Sequence, residues 1–317
     1  MMQEIITDKR QAVFKRQLRL MGNQFEISAV SDDEEWAHER IDMAVDEIRR
    51  IELLLTTFKE DSETNLINRN AGIVPVRVTE EMFSLIQRSI RISQITQGAF
   101  DITYGSIDKR LWNFDRTMTS LPTWQQAKKM VRLINYRNIV LDPKNETVFL
   151  REKGMRIGFG GIGKGYAAEM AKAVMQNAGV RSGVVNASGD LAAWGYQPNG
   201  KRWTIGIVHP DAADLPFSYM DITNMAVATS GNYEKFVMID GKKYSHTIDP
   251  HTGLPVRGIK SVTIISPNAE LSDALATPVT IMGIDAGLHL VNQLRNIECV
   301  IIDDDNCLYT SKNIRLS

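Results

Sequence analysis

The segment GFGGIGKGYAAE, residues 158–169, fits two nucleotide-binding patterns that belong to different folds. Gly158, Gly160 and Gly163 match the dinucleotide pattern G-x-G-x-x-G, whereas Gly158, Gly163 and Lys164 match the phosphate-loop pattern G-x-x-x-x-G-K. The phosphate-loop pattern ends in a serine or threonine that contacts Mg²⁺, and this chain has glycine there. Taken alone, the segment is either a phosphate site or a glycine turn required for tight packing.

The surrounding sequence argues against both folds. A dinucleotide motif opens a β-α-β unit, but here NIVLDPKNETVFLR precedes the glycine segment, and short strands with hairpin turns at PNGK and DGKK follow it. Hairpins join antiparallel strands. The sequence therefore predicts an α+β fold with antiparallel sheet layers and packed helices, neither Rossmann nor P-loop. A glycine turn that opens a helix still presents N–H groups and a positive dipole end to a phosphate.

Local signals predict several helices. SDDEEWAHERIDMAVDEIRRIELLLTTF is amphipathic with an acidic first turn, Thr79 is the expected N-cap of a second helix, and Thr123 with Gln126 has capping-box spacing. We find no internal repeat or linker. Residues 1–317 are therefore expected to form one unit, with room for two closely packed subdomains.

Charge and hydropathy exclude two classes of partner. The formal net charge of −1 offers no basic excess for nucleic acid. No run of eighteen apolar residues is present, so we expect no membrane span. No secretion signal is visible at the start, which predicts a cytoplasmic protein as given. A periplasmic protein or membrane-anchored lipoprotein is expected instead if a signal peptide was removed.

Asp273 and Thr277 lie four residues apart in SDALATPVT. On a helix these side chains share one face, so a carboxylate and a hydroxyl can converge on one hard cation. Mg²⁺ takes few protein oxygens and keeps places for water and substrate phosphates. The pair therefore indicates either a magnesium site or an ordinary helix-surface pair.

The segment YSHTIDPHTGLP contains two histidines near Asp249. His246 follows a predicted strand, so it can be held rigidly, and a histidine near a phosphate site can act as general base. The alternative is that His246 only hydrogen-bonds a neighbouring loop. His251 lies between Pro250 and Thr252 in a sequence that favours a turn, and we expect it to be a turn residue.

Eight segments in order resemble the successive blocks of the ApbE family, the FAD:protein FMN transferases. They run from about residue 20 nearly to the C-terminus: MGNQFEIS, TTFKEDSETNLINRNAG, GAFDITYGSIDKRLWNF, GFGGIGKGYAAE, VVNASGDLAAWG, ATSGNYEKF, YSHTIDPHTG and SDALATPVTIMG. The resemblance implies binding of FAD and Mg²⁺, and transfer of the FMN half of FAD to a threonine or serine hydroxyl of an acceptor flavoprotein, releasing AMP.

The resemblance also implies roles for individual residues. The metal ligands fall on Asp273, Thr277 and the backbone carbonyl of Gly163, and the catalytic base falls on His246. The flavin-contacting positions fall on Met21, Phe58, Ala99, Phe100, Asp101, Gly160, Tyr166 and Ile248.

Three positions depart from the family pattern. Gly158 begins the glycine block where the family often has aspartate, Ser188 stands where it often has glycine, and Phe58 stands where tryptophan is common. Phenylalanine can still stack on a flat ring. The absent acid at 158 removes one expected support of the metal loop and none of the named ligands.

Two alternative functions stay open from the sequence. The chain can be a FAD pyrophosphatase that yields FMN and AMP, or a non-catalytic flavin-binding protein. His246 together with the Asp273 and Thr277 pair argues against pure binding, because storage needs neither metal nor base. The sequence does not separate the transferase from the hydrolase.

Overall fold

The computed structural model describes residues 11–108, 120–209, 212–231, 236–239 and 241–314. Within these ranges the helices are α1 (Glu34–Leu55), α2 (Glu63–Arg69), α3 (Glu80–Ile95), α4 (Trp124–Met130), α5 (Gly163–Asn177), α6 (Ala269–Met282) and α7 (Ile284–Val291). The strands are β1 (Ala12–Leu20), β2 (Asn23–Ser31), β3 (Val76–Arg77), β4 (Ile139–Asp142), β5 (Thr147–Leu150), β6 (Gly183–Ala187), β7 (Asp190–Trp194), β8 (Trp203–His209), β9 (Ala212–Ile222), β10 (Met225–Gly231), β11 (Phe236–Ile239), β12 (Lys242–Ser245), β13 (Ile259–Ser266), β14 (Glu298–Asp303) and β15 (Leu308–Thr310).

One large sheet organises the fold. Its eight strands lie in the order β1-β2-β6-β7-β10-β13-β14-β15, and each neighbouring pair is antiparallel. Three smaller sheets are β3-β5-β4, β8-β9 and β11-β12. The prediction of an α+β fold with antiparallel layers and packed helices is confirmed.

The large sheet is covered on both faces. Alternate strand residues point to opposite sides of a sheet: Ala226 and Val262 join the main core with α1, α5 and α6, whereas Val227 and Ile265 join a second cluster with the β8-β9 hairpin. The helix layer contains the glycine segment at the start of α5 and the Asp273 pair on α6. The two segments are thus packed side by side.

Local sequence signals predict two helix starts correctly. The Thr79 side chain caps α3, and Thr123 and Gln126 form the expected capping box of α4. The predicted hairpins β4-β5 and β11-β12 are present, although Asp240 of the second turn lies outside the described residues. Residues 109–114 and 232–235 of the family blocks also lie outside them.

The predicted hairpin at PNGK is wrong. The turn itself forms, with the backbone N–H of Gln197 donating to the carbonyl of Lys201 at 2.9 Å. However, β7 pairs with β6 and β10, and β8 pairs with β9. The turn therefore carries the chain from the large sheet to the hairpin on its outer face, because strand pairing is decided by distant segments.

No helix in the described part of the chain combines the length and the apolar character that crossing a membrane requires.

Candidate functional site

The site begins at the amino end of α5. Ile162 precedes the helix and offers no side-chain cap, and the carbonyl of Phe159 accepts from the N–H groups of Ile162 (3.2 Å) and Gly163 (2.7 Å). The N–H of Gly165 donates to Oδ2 of Asp273 on α6 at 2.9 Å. A carboxylate from a distant segment thus lies at the positive end of the helix dipole, where negative charge is stabilised.

Close packing explains the glycine where a P-loop has serine or threonine. A Cβ on Gly165 would lie 2.2 Å from the carbonyl oxygen of Ala269 and 2.6 Å from Cβ of Asp273. Both distances are shorter than real Cβ contacts, so only glycine lets α5 and α6 approach this closely. This approach brings the Asp273 carboxylate to the Gly165 N–H.

The backbone before the glycine turn is supported without an acid at position 158. The side chain of Asn68 brackets Ile157, donating to its carbonyl at 3.0 Å and accepting from its N–H at 2.7 Å. The Ser106 hydroxyl brackets Arg156 in the same way, at 3.0 and 2.8 Å. The N–H of Gly158 donates to the carbonyl of Ile102 at 2.9 Å. These bonds fix the backbone that leads into the glycine turn.

The structure places the other expected metal ligand one turn along α6. Thr277 is half-buried, and its hydroxyl lies 3.5 Å from Oγ of Ser230 on β10. Among the described residues, no group of three or more His, Cys, Asp or Glu side chains converges as a metal site. A cation here would be held by few carboxylates with neutral oxygens, which is the coordination that Mg²⁺ accepts.

Lys164 and Asp190 complete this region, and the sequence reasoning assigned neither of them a role. The Lys164 ammonium contacts the carboxylate of Asp190 and lies 3.6 Å from Oδ1 of Asp273. Burial lowers the pKa of Lys164, but the two carboxylates outweigh it and the net shift is upward. Lys164 therefore stays charged. The available signal was that Lys164 and Asp190 both lie in family blocks, but their contact is long-range.

A tight turn positions Asp190. Ser188 and Gly189 link β6 to β7 with φ values of 57° and 101°, as in a two-residue hairpin turn with both residues left-handed. The side chain of Asn186 accepts from the N–H of Gly189 at 2.9 Å, and the N–H of Thr229 donates to the Asp190 carboxylate. Burial and the negative charge of Asp273 raise the pKa of Asp190 to about 7.

Carboxylates outnumber cationic side chains in this cluster. The side chains of Asp190 and Asp273 share the one ammonium of Lys164 in a largely buried region. Burial and the nearby charge of Asp273 raise the pKa of Asp190. Uncompensated buried charge is costly, and a proton on Asp190 or a cation beside Asp273 would each relieve it.

Several predicted flavin contacts converge on the glycine turn. Met21 Cε lies 3.7 Å from the position of a Cβ on Gly163, and the Phe100 ring lies 3.7 Å from that on Gly161. Gly160 is exposed beside them. Met21 has φ 50° in the two-residue turn between β1 and β2. A left-handed methionine costs about 1 kcal/mol, and such strain is typical of functional positions.

Phe58 is a fully exposed aromatic ring on a tethered loop. Its side chain is 97% exposed. The side chain of Asn65 donates to the carbonyls of Thr57 (2.9 Å) and Lys59 (2.7 Å), and the Ser62 hydroxyl donates to the carbonyl of Thr56 (2.7 Å). A large apolar ring held in water by fixed backbone is suited to cover a flat ligand.

Ala99 and Asp101 lie in a loop that His251 fastens. Nδ1 of His251 lies 3.0 Å from Oδ1 of Asp249, and Nε2 lies 2.9 Å from the carbonyl of Gln97. Ala99 and His251 line a cavity of about 260 Å³ near the end of α6. Both ring nitrogens of His251 thus have fixed polar partners, which supports its prediction as a turn residue.

The Asp101 carboxylate is engaged inside the protein. It accepts from the N–H (2.8 Å) and hydroxyl (2.6 Å) of Thr103 and from the N–H of Tyr136 (2.7 Å). Burial raises its pKa, although these bonds oppose the shift. Its observed contacts make Asp101 an organiser of the loop.

Two further predicted flavin contacts are buried, as Ala99 and Phe100 also are. Tyr166 is 3% exposed, and its hydroxyl donates to Glu81 of α3, which Arg50 holds through two further bonds. Ile248 is 1% exposed and packs in a small cluster with α4 and the β11-β12 hairpin. The structure does not bring either side chain to an exposed surface, and their roles as flavin contacts stay predictions.

His246 directly follows β12 and is half-buried. The segment around it is a narrow hairpin in which the N–H of Ser245 donates to the carbonyl of Val256 (3.1 Å), and the N–H of Val256 donates to that of Thr247 (3.0 Å). The Tyr104 hydroxyl accepts from the N–H of Ile248 at 3.2 Å. His246 therefore has the rigid mount that a general base needs.

Comparison with known proteins gives consistent matches. A family model described as the ApbE family matches residues 21–301. Curated relatives named FAD:protein FMN transferase include one from Klebsiella pneumoniae (strain 342), 29% identical over 299 residues and covering 94% of this chain and 91% of the relative. Another, from Escherichia coli (strain K12), is 29% identical over 246 residues and covers 76% and 70%.

Solved structures are similar over nearly the whole chain. The ApbE protein from Thermotoga maritima msb8 has a TM-score of 0.85 and 29% sequence identity, covering 95% of this chain and 97% of that one. The apo form of the Pseudomonas stutzeri flavinyl transferase ApbE has a TM-score of 0.83 at 24% identity, covering 95% of each chain, which supports the fold alone.

Proposed function

Because this chain belongs to the ApbE family, we propose that it transfers the FMN half of FAD to a threonine or serine hydroxyl of an acceptor flavoprotein and releases AMP. The names of the curated relatives support the flavin transferase directly. The observation that carries the proposal is the meeting of the glycine turn of α5, the carboxylate of Asp273 and the ammonium of Lys164 at one point.

The chain's own residues suit a pyrophosphate. The N–H groups of Ile162, Gly163 and Gly165 donate within the protein, so the positive end of the α5 dipole and the Lys164 ammonium are what would attract phosphate oxygens. Exposed Phe58 offers a ring face for the flavin, and Phe100 packs beside the turn.

The proposed site also includes a divalent cation. Asp273, Thr277 and the carbonyl of Gly163 would hold Mg²⁺, which neutralises the pyrophosphate charge when bound. The excess negative charge around Asp273 supports this assignment.

His246 is the proposed base. It takes the proton of the acceptor hydroxyl as that oxygen forms a bond to the FMN phosphorus. The bond from this phosphorus to the oxygen that bridges to AMP breaks, and AMP leaves with the electron pair. General-base help of this kind contributes about 10²–10⁴-fold. Water can take the place of the hydroxyl, so transfer requires an acceptor segment that excludes it.

The test is AMP release from FAD, followed chromatographically with Mg²⁺, with and without an acceptor domain that contains a candidate threonine. Transfer predicts that AMP release depends on the acceptor. Equal release with and without acceptor indicates the FAD pyrophosphatase, and FAD binding without AMP indicates a flavin-binding protein.

A further inference from the structure

Lys164 lies between two carboxylates that have different surroundings. Its ammonium contacts Asp190 and is 3.6 Å from Oδ1 of Asp273. The carboxylate side chains are 5% and 8% exposed, and that of Lys164 is 27% exposed. The second oxygen of Asp273 accepts from the N–H of Gly165. The ammonium therefore faces the one oxygen of Asp273 that this bond leaves to a cation.

We propose that Lys164 is an internal cation that neutralises Asp273 in the unloaded protein, and that Asp190 is the positioning residue that retains Lys164 when a divalent cation takes its place. This inference rests on the proposed function, because that function assigns the cation to Asp273.

Electrostatic repulsion moves Lys164 away from Asp273 when a divalent cation binds there. An ammonium and a divalent cation on the same carboxylate oxygen repel each other strongly in a poorly solvated region. Asp190 gives Lys164 a partner away from that oxygen. The Ser188-Gly189 turn and the N–H of Thr229 fix this partner in place. Lys164 can thus leave Asp273 without becoming an unpaired charge, which a buried region penalises.

The proposal predicts opposite effects from the two partners of one ion pair. Asp190→Asn leaves Lys164 with Asp273 as its remaining partner in this cluster, so divalent cation affinity falls. Lys164→Met removes the competing charge, so affinity rises. We expect a change on the order of tenfold in each direction. Lys164→Arg keeps the positive charge and should stay close to wild type.

A purely structural ion pair predicts something else. Its two charges also act on a nearby cation, so removing the ammonium raises and removing the carboxylate lowers affinity, but these two effects are additive. Under displacement, Asp190→Asn costs more affinity when Lys164 is present than in the Lys164→Met background. The coupling between the two substitutions therefore separates displacement from a structural ion pair.

The experiment is a titration with Mn²⁺ in the absence of flavin, with free Mn²⁺ measured by electron paramagnetic resonance and Mg²⁺ added as competitor. Wild type is compared with Lys164→Met, Asp190→Asn and Lys164→Arg. The matched control is Lys172→Met, which breaks the ion pair to Glu169 (2.8 Å) on the same helix. It should leave Mn²⁺ affinity unchanged. Melting temperatures verify folding.

The double variant Lys164→Met/Asp190→Asn keeps the proposal testable if one of the single variants folds poorly. It leaves no unpaired charge at the pair and the same net charge as wild type. Additive charge effects would return Mn²⁺ affinity to the wild-type value, whereas displacement predicts binding tighter than wild type by at least about threefold, because no ammonium remains beside Asp273.

Weaker binding by Asp190→Asn, tighter binding by Lys164→Met and a double variant that binds tighter than wild type together support the inference. Changes of the same sign, unaltered affinities, or a double variant in which the two single effects simply add overturn it while the metal site itself stands. Absence of Mn²⁺ binding by wild type overturns both the inference and the metal assignment. Acceptor flavinylation that proceeds in a chelator would then show whether the transferase assignment survives.

Discussion

Asp273 on α6 accepts a hydrogen bond of 2.9 Å from the backbone N–H of Gly165 in the first turn of α5. The carboxylate expected to hold a cation therefore also accepts a hydrogen bond from the first turn of the helix that follows the glycine turn. The positive helix end therefore already stabilises the chain's own carboxylate, and the proposed phosphate site lies beside it.

The approach of the two helices depends on Gly165. We expect Gly165→Ala to destabilise the fold by about 1–3 kcal/mol, because the added methyl overlaps the Ala269 carbonyl and the helices must separate. Urea denaturation measures this loss. Gly160→Ala is the matched control, since a Cβ there meets nothing within 4 Å. Equal stability of the two variants would show that helix packing does not require Gly165.

Charge at Asp273 is expected to be essential for turnover. Asp273→Ala should abolish Mg²⁺-dependent flavin transfer, and Thr277→Val should weaken metal dependence less, since a hydroxyl is neutral. Asp273→Asn removes the charge but keeps an oxygen that can accept from Gly165, so it should be folded and inactive. Transfer rates across a Mg²⁺ series test this. Full activity of folded Asp273→Asn at low Mg²⁺ would refute the assignment.

Phe58 separates binding from stability. Because the ring is 97% exposed, Phe58→Ala should leave the melting temperature unchanged. It should weaken FAD binding about three- to tenfold, corresponding to about 0.5–1.5 kcal/mol for a stacked ring. Phe58→Trp should bind at least as tightly as wild type. Calorimetry with FAD and Mg²⁺ measures both variants, and unchanged affinity of Phe58→Ala would remove the ring from the site.

The two histidines should behave differently. His246→Ala should lose about 10²–10⁴-fold in transfer rate while it still binds FAD and Mg²⁺. Loss of the His251 ring removes its contact with the Gln97 carbonyl, whereas Asp249 still accepts from the backbone N–H of residue 251 and from the Thr252 hydroxyl. We therefore expect His251→Ala to keep most of its kcat and to raise the KM for FAD a few-fold, as the Ala99 loop loosens.

A pH profile of the transfer rate adds a second readout. The base must be deprotonated to act, so the rate should rise with pH in the range where histidines ordinarily titrate, and His246→Ala should lose this rise. An inactive His251→Ala with an active His246→Ala would reverse the assignment. Two active variants would show that solvent or a metal-bound hydroxide removes the proton.

Much of the fold was predictable because its signals are local. Thr79 and Thr123 mark helix starts through bonds within their own first turns. The PNGK turn was also recognisable, but the partners of β7 and β8 were not, since pairing depends on segments far along the chain.

The residues expected to hold the cation could be predicted from the sequence, but the contacts between distant segments of the site could not. The spacing of Asp273 and Thr277 indicated a shared helix face, whereas the link from Lys164 to Asp190 joins two blocks that no local pattern connects. The exposure of the aromatic side chains at two family positions could not be predicted from local sequence either. Phe58 is exposed and Tyr166 is buried. The burial of Tyr166 depends on how α3 and α5 pack.

The mass of the acceptor protein is the sharpest test of the proposed FMN transfer. The protein is incubated with FAD, Mg²⁺ and an acceptor domain with a candidate threonine, and the acceptor is weighed intact beside its Thr→Ala form. We predict one covalent FMN on the threonine form and none on the alanine form. We also predict none on the threonine form when His246→Ala is used in place of the wild-type enzyme with the same incubation time. AMP formation without any gain in acceptor mass would contradict the transferase and assign the chain to FAD hydrolysis.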